Sequence, residues 1–157
     1  MEVQTVSLCS LSDWSIQHIQ DVFEARTDEQ ALRAIAATFS EKIHITMNGA
    51  RIPREGLIHS VLSLRKGSSG LRVHWRHAVD APSDPSTNRD GTFGGVYAIR
   101  GIQRVLPGSS KPIEFERIKA VTVKIQSEAL NKDTDTRRIV ELVFVASDVR
   151  VDRQAAM

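Results

Sequence analysis

The sequence predicts an α+β fold in which three helices come before a long antiparallel meander. Two observations carry this. Apolar residues recur at helical spacing in three segments before Gly67, and after Gly70 the period switches to two and stays there. Helices grouped ahead of strands, rather than alternating with them, exclude a βαβ architecture.

The first helix begins near Ser12, a side chain suited to an N-cap, with Asp13 in the first turn. Ile16, Ile19 and Phe23 share one face, Val22 lies beside them, and Arg26-Thr27 breaks the segment. Thr27 opens a second helix, where Thr27-x-x-Gln30 fits a capping box and Ala31, Leu32, Ile35, Ala36 and Phe39 form the apolar stripe. Lys42 to Met47 then alternates with period two. Asn48-Gly49 follows, the strongest short hairpin signal because both turn residues take positive φ, and Ala50 to Pro53 is the return. A third helix runs from about Arg54 to Arg65, with Leu57, Ile58, Val61, Leu62 and Leu64 apolar, and Gly67 and Gly70 end it.

Four strands follow: Leu71 to Val79, Thr92 to Leu106, Ile113 to Ser127 and Arg138 to Val149. Pro107-Gly108 and Asn131 to Thr136 are turns between them, and the tail Arg153 to Met157 is expected to fray. Strands of about 15 residues far exceed the usual five or six. They must bend, and Gly94, Gly95 and Gly101 are candidate sites for a bulge. The first strand carries Leu71, Val73, Trp75, His77 and Val79 in one phase, and His74 with Arg72 and Arg76 in the other. That phase predicts His77 facing inward and less accessible than His74.

The 157 residues fit one domain, residues 1–157 with a core over residues 11–149. A chain of this length buries roughly two-thirds of its unfolded surface, so it needs no staple. One cysteine, Cys9, excludes a disulfide framework. Twenty-one Lys and Arg against 19 Asp and Glu leave a formal charge of +2, too balanced to indicate a nucleic-acid or membrane partner. Aromatics at 5% leave few platforms for stacking bases. Arg100, Arg104, Arg117, Lys119 and Lys124 interleave with Glu114 and Glu116, which reads as cross-strand ion pairs on a solvent or dimer face. No apolar run reaches the roughly 18–20 residues of a membrane span, and Met1 to Ser10 lacks the features of a leader, so a cytoplasmic protein is expected. No metal-ligand spacing is present, and Asp90-Gly-Thr-Phe-Gly-Gly95 opens a strand rather than a helix, so no cofactor is expected.

The order of elements resembles the nuclear transport factor 2-like superfamily, which includes SnoaL-like polyketide cyclases. The resemblance covers about Leu11 to Val149: the helix pair, Phe39-Ser-Glu-Lys-Ile-His-Ile-Thr-Met-Asn-Gly49, a third helix and four long strands. It implies a strongly curved, mostly antiparallel sheet wrapped as a cone around the helices. It also implies an apolar small-molecule pocket at the open end and a homodimer through the outer sheet face. Members include ketosteroid isomerases, scytalone dehydratases and limonene epoxide hydrolases as well as noncatalytic adaptors, and fold does not choose among them.

The placement of His77 resembles that of a catalytic histidine in scytalone dehydratase; as a residue it reads first as a core imidazole paired with a backbone carbonyl. Asp148 shares its phase with Val140, Leu142, Phe144 and Ala146, so it is the best placed of the carboxylates Asp21, Glu24, Glu116 and Asp148. A carboxyl buried there would have a raised pKa and act as a general base. Tyr97 is a candidate hydrogen-bond donor to an oxyanion. Trp14, Phe23, Trp75 and Phe144 would shape the pocket, and His18 and His59 would reach its mouth. Two family patterns are missing. Tyr97-Ala-Ile-Arg-Gly-Ile102 lacks the Arg-x-Asp of limonene epoxide hydrolases, and a lone tyrosine cannot supply the pair that scytalone dehydratases use. The resulting expectation is cofactor-free isomerisation, cyclisation or dehydration of an apolar metabolite; the alternative is a noncatalytic dimeric binding or adaptor protein.

Overall fold

The computed structural model describes residues 8–129 and 133–151. Helices α1 (Leu11–Phe23) and α2 (Asp28–Thr38) lead into the hairpin β1 (Phe39–Met47) and β2 (Ala50–Ile52). Helix α3 (Arg54–Lys66) and the strands β3 (Ser68–Pro82), β4 (Gly91–Arg104), β5 (Ile113–Ser127) and β6 (Arg137–Arg150) complete it. The sheet order is β2-β1-β6-β5-β4-β3. Every neighbouring pair is antiparallel except β1 with β6, which is parallel. The four long strands stand where the period-two pattern places them. The expected tail from Arg153, and Asn131 and Lys132 of the expected turn, lie outside the described residues.

Helix α1 starts earlier than the sequence suggests. Ser10 is the cap, its Oγ accepting from the Asp13 N–H at 3.0 Å. Ser12 is used otherwise: its Oγ and N–H both donate to Asp80 Oδ2, at 2.7 and 2.8 Å. Beyond the last turn of α1, Glu24 Oε2 accepts from the Val73 N–H at 2.9 Å. Strand β3 lies at the sheet edge, where backbone donors lack a strand partner, and Glu24 satisfies one of them. Two carboxylates therefore tie both ends of α1 to one strand. In α2, Thr27 Oγ1 accepts from the Gln30 N–H at 3.1 Å, while the Gln30 side chain accepts from Arg26 rather than from Thr27, a capping box displaced by one residue. The hairpin turn has φ of 49° at Asn48 and 82° at Gly49.

Register shifts bend the long strands. One falls between Trp75 and His77 on β3, another between Ile99 and Ile102 on β4. A bulge reverses the inward phase of every residue beyond it. Leu71 and Val73 are buried, as alternation predicts, but Val79 is 70% exposed, and Asp80 is the residue that turns in to meet α1. His77 is consequently exposed, as is His74; the inward histidine expected from the alternation is not present. The helices cover the concave face, where Leu11, Val22, Ile35, Ile45, Ile99 and Ile139 are fully buried. Each such side chain contributes about 1.5–3 kcal/mol. Among the described residues, no helix is long and apolar enough to cross a membrane.

Gly101 sits in the β4 bulge with φ +92°, and a Cβ there would overlap the carbonyl oxygen of Gly70. Gly49 also has positive φ, but a Cβ there meets nothing. Gly101→Ala should therefore lower Tm by roughly 5 °C or more, and clearly more than Gly49→Ala. Equal melting temperatures for the two variants would remove the close approach at Gly101 as the cause of the bend.

Candidate active site

Strand β5 alternates so that Phe115, Arg117, Lys119, Val121, Val123 and Ile125 share the concave face. Register places Tyr97 of β4 opposite Lys119, and Asp148 of β6 opposite Arg117. Above this row, α1 supplies Phe23 and α3 supplies Leu57 and Val61. A cavity of about 300 Å³ remains between them, and Phe23, Phe144, Lys119, Arg117, Asp148 and Ser60 line it.

Lys119 is the chemically distinctive residue. It is only 6% exposed, not on a solvent or dimer face as the run of basic residues suggests. Its Nζ lies 4.7 Å from the ring centres of both Phe23 and Phe144, and 5.7 Å from that of Tyr97. It forms no hydrogen bond or ion pair among the described residues. Each ring favours the ammonium by roughly 0.5–2 kcal/mol. Taking an ammonium out of water costs several kcal/mol, so the amine form gains. Burial pushes the Lys119 amine down to about 7; the Arg117 guanidinium pushes the same way, and Asp148 opposes it.

Asp148 is engaged elsewhere. Arg117 donates to it through Nε at 2.7 Å and Nη2 at 3.1 Å, a two-pronged contact, and Arg104 pairs with the same carboxylate. Burial pushes the Asp148 carboxyl up, but the hydrogen bonds and charge of Arg117 and Arg104 outweigh that and hold it below the ordinary carboxylate range. Asp148 is inside the cavity as its phase predicts, yet the raised pKa expected of a general base is reversed by these two guanidiniums. The Tyr97 hydroxyl is pushed up by burial, against an opposing effect of Arg117, and so keeps its proton.

Of the residues singled out from the sequence, Phe23, Phe144 and Asp148 line the cavity, and Tyr97 borders Lys119. The others lie elsewhere. His77 is turned outward by the β3 bulge. His59 is exposed on α3, facing Ser63 at 3.5 Å. His18 stacks on Trp14 with ring centres 4.1 Å apart and contacts the Trp14 carbonyl, so both are occupied with each other near the start of α1. Trp75 packs against Phe93 and Tyr97 rather than against the cavity. Lys119 and Arg117 were missed, although β5 advertises them: they fall in strict phase with Val121, Val123 and Ile125. A second, more open hollow of about 470 Å³ lies on the outer sheet face beside Val79, Thr122, Lys124 and Val143. It is larger but holds no buried titratable group, so the concave cavity is the candidate site. No group of three or more His, Cys, Asp or Glu side chains placed to hold a metal occurs among the described residues.

The buried amine has a measurable consequence. An unfolded lysine releases its proton near 10.4, whereas folded Lys119 does so near 7. Between those values the unfolded chain binds the extra proton, so this group makes stability rise with pH. Below pH 7 its full cost is present. Lys119→Met should therefore raise Tm by several °C at pH 6, with the gap closing toward pH 10. A gap that does not change with pH in thermal melts would mean that Lys119 titrates normally.

No family model and no curated protein matches the sequence. Solved structures do match by shape. IdmH from Streptomyces antibioticus, described as a candidate polyketide cyclase, is 12% identical with a TM-score of 0.65, over 94% of this chain and 99% of that one. A protein of unknown function from Exiguobacterium sp. 255-15, described as NTF2-like, is 20% identical with a TM-score of 0.53, covering 86% and 99%. AusH from Aspergillus nidulans is 11% identical with a TM-score of 0.51, covering 85% and 82%. At these identities the likeness speaks to architecture: three helices held in a curled, open sheet, the nuclear transport factor 2-like fold.

Proposed function

We propose that this chain binds a small apolar molecule in its concave cavity and catalyses cofactor-free proton transfer on it, in the manner of an isomerase or cyclase. The observation that carries the reading is Lys119, a buried amine without an ionic partner among the described residues, in a cavity walled by Phe23 and Phe144. A base titrating near the working pH is both present in its active form and strong enough to take a proton. Lys119 Nζ would remove a proton from carbon next to a carbonyl, and Tyr97 would offer its retained O–H to the developing oxyanion. Asp148 would act as a positioning residue that fixes the Arg117 guanidinium beside the site. The description of IdmH as a candidate polyketide cyclase names chemistry of the same kind. A noncatalytic adaptor would be expected to fill the cone with side chains; a 300 Å³ cavity holding a titratable amine favours the enzyme.

The reading includes a second copy of the chain on the outer sheet face. Val79 at 70%, Val145 at 61% and Val143 at 38% exposure present apolar surface there. Native mass spectrometry should give a dimer that Val145→Glu dissociates. A monomer at micromolar concentration would remove this part of the reading.

Proton transfer can be tested with 2-tetralone, an apolar bicyclic ketone, in deuterated buffer with exchange followed by NMR. The protein should speed exchange of the protons next to the carbonyl, with the rate rising through pH 7 to a plateau. Lys119→Met should lower the rate by about 10²–10⁴-fold. Exchange that is equal in the variant, or absent with both proteins, would overturn Lys119 as the base.

A further inference from the structure

We propose that Lys119 is also a nucleophile, and that its Nζ forms an imine with the carbonyl carbon of an apolar aldehyde or ketone held in the concave cavity. The inference rests on the same cavity as the proton-transfer reading and goes beyond it, because it assigns a covalent step and a substrate class.

The geometry has four parts. The amine lies on the inner face of the sheet and borders the cavity directly. It has no hydrogen bond or ion pair among the described residues, so no bond must break before it attacks. The carboxylate that lines the cavity, Asp148, already has Arg104 and Arg117 on its oxygens. The Phe23, Tyr97 and Phe144 rings surround Nζ and suit an apolar carbonyl compound more than a hydrated one. An ordinary lysine is less than about 0.1% neutral at pH 7, whereas burial holds Lys119 near the midpoint there.

The reaction needs no oxidant or cofactor. The nitrogen lone pair forms a C–N bond as the carbonyl π pair moves to oxygen. The two protons first held by the neutral nitrogen end on that oxygen, which leaves as water while the second C–N bond forms. Amine and carbonyl give imine and water. Ser60 lines the same cavity with a hydroxyl that has no hydrogen bond among the described residues, and it would be the group to pass a proton between nitrogen and oxygen.

The test is reductive trapping. The full chain is incubated at pH 7.5 with 6-methoxy-2-naphthaldehyde and cyanoborohydride, and the modified residues are mapped by peptide mass spectrometry. Lys119 should be labelled at least tenfold faster than the exposed Lys42, Lys111 and Lys124. Lys119→Arg should leave only that surface background, and Lys124→Arg should leave Lys119 labelling unchanged. If Lys119→Arg fails to fold, protection of Lys119 by excess 2-tetralone in the unaltered protein decides the matter. Label spread evenly over exposed lysines, or no label at Lys119, overturns the imine. If 2-tetralone still exchanges its protons in that case, the proton-transfer reading stands without the covalent step; if exchange is absent too, both fall.

Discussion

The curvature of the sheet is the constraint on which the rest depends. Strands of 14 and 15 residues cannot stay flat and also cover three short helices. The bend is made by register shifts on β3 and β4, and by Gly101, whose missing side chain lets β4 approach Gly70. Helix α1 is held across the concave side by carboxylates at both ends, Asp80 on Ser12 and Glu24 on the Val73 backbone. Asp80 reaches α1 because the bulge before it reverses the strand's phase. The same reversal turns His77 away from the interior. A device that closes the helix onto the sheet thus also decides which residues of β3 are available to the site.

This explains how far the sequence could be read. Strand positions were legible because period two holds over long runs, and β5 begins and ends where its pattern does. Phe144 and Asp148 were legible as cavity residues for the same reason, and Phe23 because helical spacing puts it on the apolar face of α1 with Ile19. His77 was not, since a single extra residue near Arg76 leaves no mark in hydropathy yet inverts everything after it. Ser12 and Ser10 are indistinguishable as α1 caps in sequence because both are serines beside the first turn, and only the partner Asp80, 68 positions from Ser12, separates them. Lys119 is obscured for a different reason: its charge and the basic residues around it point to solvent, although phase alone places it with Val121 and Val123.

The ionic arrangement around the cavity follows from strand register. Arg117 and Asp148 are direct cross-strand partners, so their pairing is nearly obligatory, and Arg104 completes a cluster of two guanidiniums on one carboxylate. Lys119 is one inward position along β5, opposite Tyr97 on one side and Ala146 on the other. Its cross-strand neighbours are thus an un-ionised phenol and a methyl group, and neither can serve as a counter-ion.

That offset by one inward position lets burial dominate the state of the amine. A free carboxylate about 4 Å from Nζ would stabilise the ammonium by about 4 kcal/mol at an effective dielectric constant near 20. That is comparable with the several kcal/mol lost on removing the ammonium from water, so Lys119 would then remain an ordinary cation. With Asp148 already bound to two guanidiniums, most of that compensation is spent elsewhere, and the Arg117 charge adds repulsion. Aromatic faces return only part of the loss. Burial is the larger cause of the lowered pKa, and the pair that looks like a structural salt bridge adds to it by occupying the carboxylate that could have offset it. Its partners are set by backbone register, a more rigid control than side-chain packing alone would give.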